Sequence, residues 1–156
     1  MNSQHSLHKL CLPEITPSLR YDANGLLQIL DPVRGKFVAL TPEEWVRQNF
    51  VDFLVNLRGV PRGRIANEVG IRQNGCRRRC DSVIYDDAAC PIAICEYKAP
   101  TVTITEKVFD QIVRYNMKLR VRTLIVSNGL RHYCCSISPS FTNYIFLTDI
   151  PSYTQL

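Results

Sequence analysis

The sequence predicts a mixed α/β domain on three observations. An amphipathic helix opens with a full set of start signals, three strand-like runs follow on links too short for crossovers, and a second helix leads at once into a run rich in β-branched residues. Short links force the three runs into an antiparallel meander. The second helix then carries the chain back across the sheet, and a right-handed crossover sets the next strand parallel to its neighbour. Length agrees, because 156 residues suit one compact domain. With 46% apolar and 21% charged residues, the chain can build one core and solvate it.

The elements follow in order. The first 17 residues, with Pro13 and Pro17, read as an irregular arm. Residues 18–40 read as a small β-appendage, because strand-like pieces flank Asp22-Ala23-Asn24-Gly25 and Asn-Gly is the strongest short hairpin signal. Thr41-Pro42-Glu43-Glu44 starts a helix, with Thr as N-cap, Pro at the first helical position and Glu at the third completing a capping box. Val46, Phe50, Phe53, Leu54 and Leu57 recur at helical spacing until Gly59 and Pro61 stop them, so the helix spans 41–58. Strands are expected at 65–73, 78–85 and 91–98, separated by Asn74-Gly75 and by residues 86–90. Ala99-Pro100 breaks the last of these. A second helix runs over 105–119 with Val108, Ile112, Tyr115 and Leu119 on its buried stripe, and strands at 123–127, 132–137 and 144–147 close the chain. The expected division is an arm and hairpin appendage over 1–40 and a main domain over 41–156.

The net charge of +5 is unevenly placed. Residues 1–60 carry six Lys/Arg and six Asp/Glu, so the excess lies beyond them; from Arg58 to Arg79 there are seven arginines and one acid, Glu68. Such a cluster reads as a phosphate-facing surface or, more plainly, as a solvated loop. The longest run free of charged, polar or Gly residues, 88–95, is too short to span a bilayer, and residues 1–5 lack a signal-peptide pattern. A cytoplasmic protein with no membrane partner is expected. Seven cysteines in no framework spacing are expected to be reduced thiols. Cys76, Cys80, Cys90 and Cys95 contain no CxxC knuckle, which disfavours zinc. His132 is the only histidine outside the arm, too little for a hydrolase triad.

Strand register brings the acids together. With Asn74-Gly75 as a two-residue loop, Glu68 lies opposite Asp81; with residues 87–90 as a four-residue loop, Asp81 lies opposite Glu96. Three carboxylates then sit side by side, with Lys98 two residues beyond Glu96 on the same face. Like charges directly opposite are destabilising, so a row of this kind calls for a cation. A hard divalent ion, Mg²⁺ or Mn²⁺, suits oxygen ligands. Pairing of Glu68 and Asp81 with the surrounding arginines is the plainer alternative, and a one-residue bulge would turn Glu68 to the other face.

The segment Arg79-Cys80-Asp81-Ser82-Val83-Ile84-Tyr85, followed by Glu96-Tyr97-Lys98, resembles the Asp…Glu-x-Lys signature of the PD-(D/E)xK nuclease superfamily, and Gln111-Ile112-Val113-Arg114-Tyr115 resembles the Gln-x-x-x-Tyr element of some of its branches. Residues 41–48, 96–100 and 109–116 resemble the type I restriction enzyme R-protein N-terminal domain family, with the likeness covering about residues 18–153. That resemblance implies a restriction-endonuclease-like mixed sheet flanked by helices. It implies catalytic roles for Asp81, Glu96, Lys98, Gln111 and Tyr115, with metal held by Asp81 and Glu96. Glu68 joins them from the register argument. Cys80 stands where the superfamily name calls for proline, and no G-x-x-x-x-G-K-[ST] loop is present.

The chemistry expected is metal-dependent hydrolysis of DNA phosphodiesters. Lys98 serves it by stabilising charge on the transition state. The nucleic-acid-binding residues expected are Arg62, Arg64, Arg72, Arg77, Arg78, Arg79, Lys107, Arg114 and Lys118. Expected partners are DNA and either a second copy of the chain or other restriction-system subunits. The rival reading is a nuclease-like fold that binds DNA or assembles without cutting.

Overall fold

Thr41 caps the first helix as its side chain predicts. Its Oγ1 accepts the Glu44 N–H at 3.1 Å, Pro42 is the first helical residue, and Gly59 closes the last turn at φ 71°. The other half of the capping box is not formed. The Glu44 carboxylate turns instead to Arg47 and Gln48, and the Thr41 N–H is taken by the Ala39 carbonyl at 3.1 Å.

The computed structural model describes residues 7–73 and 75–156. β1 (Leu19–Tyr21), β2 (Leu27–Asp31) and β3 (Lys36–Ala39) form a three-stranded antiparallel sheet, and α1 (Pro42–Arg58) follows. A second sheet contains β4 (Ile65–Gln73), β5 (Cys76–Tyr85), β6 (Pro91–Tyr97), β7 (Thr123–Ser127), β8 (His132–Ile137) and β9 (Tyr144–Leu147) in sequential order, with α2 (Glu106–Leu119) between β6 and β7. Every neighbouring pair is antiparallel except β6 and β7, the crossover pair. The fold is therefore the mixed α/β arrangement expected, with β5 beginning two residues early and β6 ending before Lys98. Asn74 of the β4–β5 turn lies outside the described residues.

The six-stranded sheet has a core on each side. Val46, Phe50 and Leu54 of α1 pack with Ile84, Ala93, Cys95, Tyr97 and Ile125. Phe109 and Ile112 of α2 pack with Cys80, Val83, Ile94, Leu124 and Val126 on the other. Strand alternation produces this division on β6, where successive residues face opposite helices. It fails once, on β4 and β5 together. Ile65 and Ile84 belong to the α1 side, whereas Ile71 and Cys80 belong to the α2 side, which unbroken alternation would not allow. The ladder keeps one register throughout, from Ile65 opposite Ile84 to Gln73 opposite Cys76, and lacks only the Glu68–Asp81 rung. Glu68 has φ 58°. Both strands thus turn over at this rung with no residue inserted. On the next ladder Ser82 faces Cys95, and a separate irregularity between Ile84 and Tyr85 lies beside the β5–β6 turn.

The arm is docked on the α1 side. Trp45 Nε1 donates to the His8 carbonyl at 2.9 Å, the Cys11 N–H donates to the Gly129 carbonyl at 2.7 Å, and Leu10 and Leu12 cover the core. His132 belongs to the same contact, with Nδ1 2.8 Å from Ser127 Oγ and Nε2 3.1 Å from the Cys11 carbonyl oxygen. Among the described residues, no helix is long and apolar enough to cross a membrane.

Candidate functional site

The site forms where β6 ends and the chain leaves for α2. Glu96, the last but one residue of β6, is 4% exposed. Its Oε1 accepts from Lys98 Nζ at 3.0 Å and from Gln111 Nε2 of α2 at 3.1 Å. Its Oε2 is buried with no hydrogen-bond partner among the described residues. Burial, and then the negative charge of Asp81, push the Glu96 carboxyl up to about 7. Lys98 is held in place by backbone as well, its N–H bonding the Ser127 carbonyl at 2.9 Å across the β6–β7 end.

Asp81 comes from the irregular rung of β5. Its Oδ2 accepts the Tyr97 N–H at 2.8 Å, and its Oδ1 lies 3.2 Å from Arg47 Nη2. Burial raises its pKa against the pull of that backbone bond and of Arg47 and Lys98. Asp81 and Glu96 therefore act on each other electrostatically, with Lys98 felt by both. Burial alone would lower the Lys98 pKa, but Glu96, with Glu43 and Asp81, outweighs it and raises the pKa, so the side chain is an ammonium at neutral pH.

Glu68 is placed differently. Its Oε1 is bound by Arg47 Nη2 at 2.7 Å and its Oε2 by Arg79 Nη1 at 3.3 Å. Burial raises the Glu68 pKa, but Arg47, with Arg79 and Arg34, outweighs it and holds the carboxyl below its usual range. The cation beside Glu68 and Asp81 is thus a guanidinium from α1. Arg47, only 5% exposed, also bonds Glu44 Oε2 at 2.9 Å. Behind it Arg34 reaches Glu44 at 3.3 Å and pairs with Asp31; Asn67 Nδ2 donates to Asp31 at 3.1 Å, and Ser82 Oγ donates to Asn67 at 2.7 Å. Sequence reasoning misses this network. Its one local signal is Glu44-x-x-Arg47, an i,i+3 pair in a helix whose residues 44–51 are all buried.

Among the described residues, no three Asp, Glu, His or Cys side chains gather as a metal cage. Cys80 and Cys95 are buried whereas Cys76 and Cys90 are exposed, so the four do not share one environment. The donor set of Asp81 and Glu96 still fits Mg²⁺, which binds through one or two carboxylates and keeps water or substrate phosphate as its other ligands. The buried, unpartnered Glu96 Oε2 is the observation that favours this fit.

The predicted basic cluster divides. Arg64 pairs with Asp87 at 3.1 Å and Arg58 with Asp149 at 2.9 Å, and Arg62 opens the short 3₁₀ turn that precedes β4. Arg72, Arg77, Arg78 and Arg79 are exposed at the other end of the hairpin, about 25 Å along the strand. Lys107 and Lys118 are exposed on α2. With Gln111 and Arg114 they occupy positions spaced by four, three and four, which is one helical stripe. The side chains of Arg114 and Tyr115 lie outside the described ones.

No curated protein matches the chain. Among solved structures it is similar to a fragment described as an HsdR subunit of a type I restriction enzyme from Vibrio vulnificus YJ016, at 17% identity and TM-score 0.54. The likeness covers 72% of this chain and 24% of that one, so it spans about a quarter of the solved fragment's chain and bears on fold alone. A family model matches residues 42–151, from the first residue of α1 to just beyond β9. With well over half of its residues matched, the chain belongs to the family described as Type I restriction enzyme R protein N terminus (HSDR_N).

Proposed function

We propose that the chain is a divalent-metal-dependent deoxyribonuclease domain of a restriction system, built on the PD-(D/E)xK plan. The observation that carries this reading is the Asp81–Glu96 pair beside Lys98, with one Glu96 oxygen buried and without a hydrogen-bond partner among the described residues. Asp81 and Glu96 would hold Mg²⁺ or Mn²⁺, which when bound supplies a Lewis acid and lowers the pKa of a water. Lys98, kept charged by Glu96, Glu43 and Asp81, offers an ammonium to the charge that develops on the phosphoryl oxygens. It is an electrostatic clamp rather than a base. Gln111 orients Glu96 by donating to its Oε1. Tyr115, one turn further along α2, is assigned a supporting role by resemblance alone.

A second reading is favoured by one specific observation. Both oxygens of Asp81 are already engaged, by Arg47 and by the Tyr97 N–H, and both of Glu68 by arginines. A domain of this kind could bind DNA or assemble with restriction-system subunits without cutting. Incubating the purified protein with linear, circular, single-stranded and branched DNA in Mg²⁺, Mn²⁺ or EDTA decides between them. Metal-dependent cleavage is expected, and Lys98→Ala is expected to slow it by about 10²- to 10³-fold with the fold retained. Failure of the parent to cut any form with either metal gives the site to the non-catalytic reading.

A further inference from the structure

The N-terminal appendage ends in a hairpin whose turn, residues 32–35, faces the β4–β5 hairpin across a groove of about 580 Å³. Arg34 and Lys36 line it from the appendage, and Arg72, Arg77, Arg78 and Arg79 from β4 and β5, with Glu68 the only acid among the described lining residues. We infer that this groove is a binding cleft for the phosphate backbone of duplex DNA, and that the appendage is one of its walls. The inference deepens the DNA-binding part of the reading above and rests on it.

Three features support it. First, the walls are fixed before any ligand arrives. Arg34 ties the appendage to α1 through Glu44 at 3.3 Å, and Asn67 ties β4 to Asp31 at 3.1 Å. A preformed cleft loses little ordering entropy on binding. Second, the cations are not equally committed. Arg34 is spent on Asp31 and Glu44, and Arg79 leans on Glu68, whereas Lys36, Arg72, Arg77 and Arg78 are exposed and in no ion pair among the described residues. Four cations on two facing walls suit a ligand with phosphates on both sides of a groove. Third, none of the described lining residues is aromatic. Single-strand binders combine basic grooves with rings on which bases stack; a groove with only cations and no ring reads the backbone and leaves the stack intact. Sequence-independent binding follows, because phosphate contacts carry no base information.

Fluorescence anisotropy with a labelled 20-base-pair duplex and with its single strand, over 50–300 mM salt, tests the inference on the full chain. Lys36→Gln, Arg77→Gln with Arg78→Gln, and Lys9→Gln as an exposed control in the arm are compared with the parent. Gln removes the Lys36 charge without setting a carboxylate opposite Asp31, its cross-strand neighbour. The parent is expected to bind duplex more tightly than single strand. Lys36→Gln should cut the salt slope by about 1 and affinity roughly five- to tenfold near 0.1 M salt, the arginine pair by about twice that slope, and Lys9→Gln by nothing. If Lys36→Gln matches the parent while the arginine variant weakens, the appendage is not a wall and the DNA reading stands. If Lys9→Gln weakens binding as much as Lys36→Gln, only net charge is at work and the cleft is overturned. Tighter binding of the single strand overturns the duplex assignment. No binding by the parent at 50 mM salt overturns the cleft and the DNA reading together.

Discussion

Arg47 carries more of the site than any residue the motifs name. A guanidinium spreads five donors over a planar fork, so it can reach three carboxylates set apart from one another, whereas the three donors of an ammonium radiate from a single nitrogen. Here it joins Glu44, Glu68 and Asp81, and together they offset the burial of its charge and raise its pKa. Removing it leaves acids partly buried and facing one another. Arg47→Met is therefore expected to destabilise the fold by about 3 kcal/mol or more, and Arg47→Lys by less, read as a lower urea midpoint at unchanged slope. Stability equal to the parent in Arg47→Met would mean the network contributes nothing. Asp31 sits at the other end of the chain of bonds, fully buried. Burial opposes its charge, but hydrogen bonds from Arg34 and Asn67 win and hold its pKa below 3.8. The sign follows: a depressed folded pKa contributes stability above the unfolded value and loses it as pH falls below 3.8. Asp31→Asn should then cost about 2–3 kcal/mol at pH 6, and the gap from the parent should narrow by pH 3. A gap that stays constant between these pH values rules out a depressed Asp31.

Between elements, the arm and α1 meet at a glycine. Gly129 follows β7 with φ 81°, and a Cβ there would lie 2.7 Å from Leu10 Cδ2 and 3.2 Å from Val46 Cγ2. Gly129→Ala meets both a strained backbone and a clash with the docked arm. It should lower stability by about 1–2 kcal/mol and open the arm to protease, measured by limited proteolysis near residue 10. An arm cleaved no faster than in the parent refutes this docking. How far elements are legible in sequence depends on how local their signals are. Both helices and the strands at 123–127, 132–137 and 144–147 are read to within a residue, because caps, glycine stops and β-branched runs act over a few positions. The β4–β5 register is legible for the same reason, as its two-residue turn sets it. The turnover at Glu68 is not, because positive φ in a strand leaves no mark on a sequence that keeps its register. The fate of Glu44 is half hidden. Its spacing from Thr41 promises a capping box and its spacing from Arg47 an i,i+3 pair, and it is the pair that forms, with Arg47 also bound to Glu68 of β4. The arm looks irregular in sequence and is, yet its docking depends on partners more than thirty residues away.

At the scale of the molecule, the place of the site follows from topology. The sheet has one parallel pair, β6 and β7, and the crossover through α2 must leave β6 at its carboxyl end. Ligands in open α/β sheets collect at such ends, where the departing connection leaves a crevice. Glu96, Lys98 and Gln111 meet there because the crossover brings α2 back over β6. Asp81 joins from the neighbouring strand by virtue of the irregular rung. Three elements therefore converge on one pair of carboxylates, and a cation that binds the pair ties β5 to β6 in the folded state alone. Such a ligand stabilises by mass action, about 2.7 kcal/mol at a hundred times its Kd. For a chain of this size that is a rise in Tm of roughly 5–10 °C. Saturating Mn²⁺ or Mg²⁺ is expected to produce that rise in the parent and in Lys98→Ala, whose missing ammonium is not a ligand. Asp81→Asn should lose it, because an amide cannot replace a carboxylate toward a hard cation. An unchanged Tm in the parent, measured by differential scanning calorimetry against EDTA, removes the metal from the site and leaves Arg47 as the cation that the acid row requires.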